Sequence, residues 1–148
     1  MTAPGKGALV VRRRVHATAN ELFGEWTDPA NMGAWMCPGD IVSTRVQMDL
    51  RVGGELRIVM RDAERTYEHR GEFTVIEPPT RLAFTWIADA TDQQPTLVTV
   101  EFIALSESET ELVLTHRGFP RPEVRDRYRG GWTGILERLE RHLQAGRS

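Results

Sequence analysis

The sequence predicts an α+β fold in which a strongly curved antiparallel sheet of about six to seven strands wraps one long C-terminal helix, with two short helices after the first strand. Three observations carry this. Between residues 42 and 117, apolar side chains recur at every second position in successive segments, with turn residues between them. From Val124 the period changes, and Val124, Tyr128, Trp132, Ile135, Leu136, Leu139 and Leu143 follow at helical spacing. No other helical stripe is large enough to cover the apolar face of the sheet, so that face closes on this helix. A curved sheet need not sit flush against a straight rod, and the mismatch leaves a cavity.

Residues 9–16 read as the first strand, with Leu9, Val11, Arg13 and Val15 on one side and Val10, Arg12 and Arg14 on the other. An arginine facing inward is out of place unless it lies near a strand end or a cavity. Thr18 with Glu21 is a capping-box pattern, and it starts a helix whose apolar face is Leu22, Phe23 and Trp26. Thr27-Asp28-Pro29 ends that helix and caps a second one, which packs through Met32, Trp35 and Met36. Pro38-Gly39-Asp40 is a turn.

Strands over 42–48 and 55–62 are joined around Gly53-Gly54, and the second carries Leu56, Ile58 and Met60 on one side. A strand over 66–77 places His69, Gly71, Phe73 and Val75 on one face, and Pro78-Pro79 breaks the ladder. Leu82, Phe84 and Trp86 then share a side of the strand over 81–87. After a polar loop, Val98, Val100 and Phe102 alternate over 96–105, and Leu112, Leu114 and His116 alternate over 111–117. In the last helix Arg125, Arg127, Arg129, Glu137, Glu140 and Arg141 fall toward solvent. Gly130, Gly131 and Gly134 each weaken a helix interior by about 1 kcal/mol. A bent helix start, or close approach of the helix to the sheet or to a ligand, explains them.

The chain has 148 residues, 40% apolar and 27% charged, which fits one globular domain over 8–145 with flexible termini at 1–7 and 146–148. Nineteen basic against 21 acidic residues give a net charge of −2, which argues against a general nucleic-acid binder. Cys37 alone makes neither an intramolecular disulfide nor a cysteine-rich metal site. Cys37, His16, His69, His116 and His142 lack metal-ligand spacing, so no metal is expected. Gly53-Gly54 lacks the phosphate-loop pattern and precedes a strand, and no cofactor is expected. Neither a secretory signal nor an apolar span is visible, which predicts a cytoplasmic protein without membrane insertion. Arg12-Arg13-Arg14 and the group Arg117, Arg121, Arg125, Arg127 and Arg129 read as solvated surface.

A series of fragments then falls into a recognisable order. Thr27-Asp28-Pro29 is followed by Trp35, and Asp49-Leu50-Arg51-Val52-Gly53-Gly54 precedes a strand. Gly71 lies ahead of Ile76-Glu77-Pro78-Pro79-Thr80-Arg81-Leu82, then Phe84-Thr85-Trp86. Thr96-Leu97-Val98-Thr99-Val100, Leu114-Thr115-His116-Arg117-Gly118-Phe119 and Gly131-Trp132 complete the set. In this order, over nearly the whole chain, it resembles the activator of Hsp90 ATPase homologue-like family, within the START-like or Bet v-like helix-grip (SRPBCC) superfamily. The resemblance implies a helix-grip fold with a cavity. Relatives include co-chaperone domains, self-protecting resistance proteins of antibiotic producers, polyketide cyclases and aromatases, and lipid carriers. The eukaryotic co-chaperones carry an additional N-terminal region that contributes to chaperone binding. About eight residues precede the domain here, which argues against a chaperone partner. Met36 stands where bacterial relatives often carry a second aromatic.

The function expected on this basis is binding of a hydrophobic or aromatic small molecule between sheet and final helix. The candidate walls are Met60, His69, Phe73, Trp86, Val100, His116, Tyr128 and Trp132, with Trp35 near the entrance. Burial of apolar ligand surface supplies affinity, and the histidines or Tyr128 set orientation. A polyketide cyclase or aromatase-like enzyme is the first alternative, with His69 or His116 as base. A chaperone-interacting or stress-response protein is the second. A homodimer is compatible with the sequence.

Overall fold

The capping chemistry of the N-terminal third is formed atom by atom in the computed structural model, which describes residues 7–146. After strand β1 (Leu9–Val15), Thr18 Oγ1 accepts from the Glu21 amide while Glu21 Oε1 accepts from the Thr18 amide, opening α1 (Ala19–Thr27). Asp28 Oδ1 accepts from the Asn31 amide, and Pro29 fills the first position of α2 (Pro29–Trp35). The strands β2 (Ser43–Met48), β3 (Glu55–Arg61), β4 (Thr66–Glu77), β5 (Arg81–Trp86), β6 (Thr96–Ala104) and β7 (Thr110–Arg117) follow, and then α3 (Pro122–Ala145). The flexible termini expected at 1–7 and 146–148 fall outside the described residues except for Gly7 and Gly146.

The described strands form one seven-stranded sheet, antiparallel throughout, in the order β1-β7-β6-β5-β4-β3-β2. The sequence-adjacent strands β1 and β2 are therefore opposite edges, and α1 and α2 span the gap between them. Helix α2 crosses β2 so tightly that a Cβ on Gly33 would lie 3.0 Å from the Thr44 carbonyl oxygen. The inner face of the sheet and the buried stripe of α3 (Val124, Trp132, Ile135, Leu136, Leu139 and Leu143) close on each other. This is the curved sheet around a helix that the two periodicities predict.

Strand β4 joins the two parts of the sheet. Its first half pairs with β3, its second half with β5, and the changeover falls between Gly71 and Phe73. A β-bulge follows between Phe73 and Val75. The extra residue reverses the alternation, so Ile76, opposite Leu82, shares the inner side with Phe73. Val75, expected on the face of His69 and Phe73, lies opposite Ala83 on the other side.

Arg13 does face inward, and the reason is a partner. Its Nε and Nη2 donate to Glu140 Oε1 at 3.0 and 2.7 Å, tying β1 to α3. Glu140 is therefore half-buried against the sheet and not on the solvent side of the helix. Near the C-terminal end of α3, His142 Nε2 meets Glu25 Oε1 at 3.0 Å. The helix itself runs unbroken through Gly130, Gly131 and Gly134.

Candidate functional site

Between α3 and the strands β3 to β5 lies a cavity of about 520 Å³. That is within the range of about 300–1,000 Å³ typical of small-molecule sites. Met60, His69 and Trp86 rise from the sheet, and Tyr128, Trp132 and Ile135 descend from α3. The loop carrying Pro38, Gly39, Asp40 and Ile41 closes one side, with Asp62, Tyr67, Ala90 and Arg127 around it. Gly130 and Gly131 present bare backbone to the same space. A Cβ on Gly130 would meet nothing within 4 Å, and one on Gly131 only the Pro38 Cβ at 4.0 Å. Close approach of the helix to the sheet, one explanation expected for these glycines, is not what is found: Gly130 and Gly131 face open space.

A chain of hydrogen bonds braces the wall. Trp132 Nε1 donates to His116 Nδ1 at 3.0 Å, so that nitrogen carries no proton and the ring is the Nε2–H tautomer. His116 Nε2 then donates to Thr96 Oγ1 at 2.7 Å, and the Thr96 hydroxyl donates to the Trp86 carbonyl at 2.7 Å. Trp86 Nε1 in turn donates to Tyr128 Oη at 3.0 Å. Each donor in this series has one acceptor, which is how a buried polar network adds rigidity without an unpaired group. Burial pushes His116 down to about 3, so it is neutral at physiological pH.

Both ring nitrogens of His116 are thus engaged, and it is fully buried behind Trp86 and Trp132. It positions the wall and has no lone pair left to act as a base. A linkage effect follows. The unfolded chain takes up a proton near pH 6.5 and the folded chain does not until about 3, so His116 withdraws stability as pH falls across that interval. Its full contribution is present above pH 6.5. In a histidine NMR titration the His116 ring is expected to keep its neutral shifts down to about pH 5 while the folded signal remains. A His116 signal titrating near neutrality would show that the indole does not hold Nδ1.

His69 is held differently. Its Nδ1 lies 3.4 Å from the Ile58 carbonyl oxygen, which can only accept, so Nδ1 carries the proton. Its ring lies 4.8 Å from that of Trp86. Burial lowers its pKa, an effect the Ile58 carbonyl and Asp89 oppose in part. Burial likewise raises the Tyr128 phenol, against smaller opposing effects of the Trp86 indole and Arg127. At the mouth, Tyr67 Oη donates to Asp62 Oδ2 at 2.8 Å, and the amides of Glu64 and Arg65 donate to Asp62 Oδ1. The Glu64 amide leads the Tyr67 hydroxyl and the Arg65 amide in lowering the Asp62 pKa, which keeps that carboxylate ionised.

Of the residues expected around a ligand, Met60, His69, Trp86, Tyr128 and Trp132 line the cavity together. Phe73 and Val100 are fully buried in the core and do not border it. Trp35 is not at an entrance. It is fully buried, its ring 4.8 Å from that of Trp26, with Nε1 donating to Glu25 Oε1 at 3.2 Å. The expectation missed Ile41, Asp62 and Tyr67. Tyr67 shares the strand parity of His69 and was open to the same alternation argument.

Among the described residues no helix is long and apolar enough to cross a membrane, and no group of three or more His, Cys, Asp or Glu side chains could hold a metal. Of the second arginine cluster, Arg121 pairs with Asp92 and Glu123, and Arg125 with Asp126.

Known proteins share this architecture. A crystal structure from Rhodobacter sphaeroides is similar at 28% identity and a TM-score of 0.80, covering 97% of each chain. An AHSA1 protein from Silicibacter pomeroyi matches at 26% identity and a TM-score of 0.79, over 94% of this chain and 99% of that one. An Hsp90 activator from Plasmodium falciparum matches at 24% identity and a TM-score of 0.76, over 93% and 96%, a likeness of fold. Among curated proteins none matches. The family model for the activator of Hsp90 ATPase homolog 1-like protein matches residues 16–144. With that match spanning nearly all of the helix-grip architecture, the chain belongs to the activator of Hsp90 ATPase homolog 1-like family.

Proposed function

We propose that this protein binds a hydrophobic or aromatic small molecule in the cavity between β3–β5 and α3. The observation that carries the reading is the wall itself. Trp86, Trp132, Tyr128 and Met60 offer large apolar surfaces, and Gly130 and Gly131 leave the helix side open. Burying apolar ligand area at about 25 cal/mol per Å² supplies affinity, and the few polar groups supply orientation.

Native mass spectrometry of protein purified from its own host is expected to find a retained small molecule. Gly131→Leu would put a side chain into the cavity beyond the Pro38 contact at 4.0 Å. Leucine also favours helix over glycine by up to about 1 kcal/mol. The variant is therefore expected to fold at least as stably and to lose the retained mass. A variant that keeps the molecule at full occupancy places it elsewhere.

A cyclase or aromatase-like activity is the second reading. The feature in its favour is that His69 keeps a ring nitrogen free to accept a proton while Tyr128 keeps a hydroxyl, both in one cavity. Turnover of a polyketide that His69→Ala abolishes without unfolding the chain would establish it. A chaperone-directed or stress-response role draws on the family's name, and no feature of this cavity adds to it.

A further inference from the structure

Two side chains in the cavity wall have each spent one hydrogen-bonding capacity on the protein and kept the other. Tyr128 Oη accepts from Trp86 Nε1, which can only donate, so the hydroxyl proton is unspent. His69 gives Nδ1–H to the Ile58 carbonyl, so the lone pair on Nε2 is unspent. Among the described residues neither has a further hydrogen-bond partner, and both line the same space. The Trp86 ring neighbours both, 4.8 Å from that of His69 and 6.4 Å from that of Tyr128. The site thus offers one donor and one acceptor, each beside the same indole.

From this geometry we infer the class of ligand: a neutral hydroxyarene, seated against Trp86, that donates its hydroxyl proton to His69 Nε2 and accepts one from Tyr128 Oη. The inference rests on the cavity being a ligand site. The charges around the cavity point the same way. Asp40 and Asp62 line it against a single cationic side chain, Arg127. A carboxylate ligand would leave water for a space whose border is net negative, and it would meet at His69 Nε2 a lone pair where it needs a proton. A plain hydrocarbon would leave both polar groups without their water and without a replacement. Burial keeps both groups in these states, since it lowers the His69 pKa and raises that of Tyr128.

The test uses three probes of one shape: naphthol, naphthalene and naphthoate, measured by calorimetry and ligand-detected NMR against the full chain. Naphthol is expected to bind about tenfold or more tightly than either of the others, from two net hydrogen bonds. The preference is expected to hold between about pH 7 and 8, above the ordinary histidine range that burial lowers for His69 and below the ordinary tyrosine range that burial raises for Tyr128. His69→Phe and Tyr128→Phe keep an aromatic ring in place, and each is expected to reduce naphthol toward the naphthalene level while leaving naphthalene itself unchanged. Equal binding of naphthol and naphthalene, a preference for naphthoate, or a naphthol preference that survives both substitutions overturns the hydroxyarene assignment and leaves the cavity as an apolar site. No binding of any probe removes the cavity reading, and the ligand class with it.

Discussion

Gly71→Ala is expected to destabilise the fold severely, although the change is a single methyl group. A Cβ built at Gly71 would stand 1.8 Å from the Thr85 carbonyl oxygen and 2.9 Å from its carbon, both backbone atoms. Relief would require β5 to withdraw by more than an ångström. That stretch of β5 is fixed on both sides. The Glu72 amide donates to Thr85 Oγ1 at 2.9 Å, and Arg70 and Ile87 exchange two backbone hydrogen bonds of 3.0 and 2.8 Å. The clash falls where β4 passes from pairing with β3 to pairing with β5, just before its bulge. A penalty of at least about 4 kcal/mol is expected, against a total stability of about 5–15 kcal/mol. Gly24→Ala is the control. Nothing lies within 4 Å of that Cβ, and helix propensity favours alanine by up to about 1 kcal/mol. Urea denaturation of both variants reads the contrast. A Gly71→Ala protein with an unchanged midpoint would mean that the strands do not approach as described.

Gly71 also marks the boundary of what the sequence makes legible. A glycine inside an alternating strand signals a bulge or a close backbone approach, and the structure has both within three residues, the approach at Gly71 and the bulge after Phe73. The sequence does not say which partner approaches, nor that the bulge turns Val75 outward and Ile76 inward. The strands, both capping motifs and the long final helix follow from local patterns, because period and capping chemistry depend on neighbours a few residues away. The partners of Arg13 and His142 do not. Glu140 is 127 positions from Arg13, and only the packed fold brings them together.

The candidate site divides along the same line. Alternation places Met60, His69, Phe73, Trp86, Val100 and His116 on the inner face of one sheet, and it does so correctly. It has no means of separating those that border the cavity from those packed as core, because that depends on where α3 crosses a curved sheet. Trp86 therefore faces the space, while Val100, on the neighbouring strand and fully buried, does not. His116 shows the limit most clearly. Its residue type suggests a base, yet the Trp132 indole and Thr96 hydroxyl consume both nitrogens. For His69 only one nitrogen is taken, by a backbone carbonyl.

Trp86→Ala carries the second large effect, because this side chain belongs to the core and to the cavity at once. Only 3% of the residue is exposed, and its ring packs near those of His69, Trp132, Phe84, His116 and Tyr128 at centroid distances of 4.8 to 6.4 Å. Truncation removes that contact area and leaves a void that its aromatic neighbours fill only in part, a loss of about 3–5 kcal/mol. The melting temperature is expected to fall by roughly 10 °C in a domain of this size. Affinity for an aromatic guest is expected to fall about 10- to 100-fold with the loss of the indole seat. Trp86→Phe separates the two roles. It keeps an aromatic surface but removes the donor that fixes Tyr128, at about 1 kcal/mol of stability. Thermal melts and probe titrations on both variants decide the matter. An unchanged melting temperature for Trp86→Ala would contradict its place in the core. A lowered one with undiminished affinity would mean that guests do not rest on this ring, and that the space between sheet and helix is used from another wall.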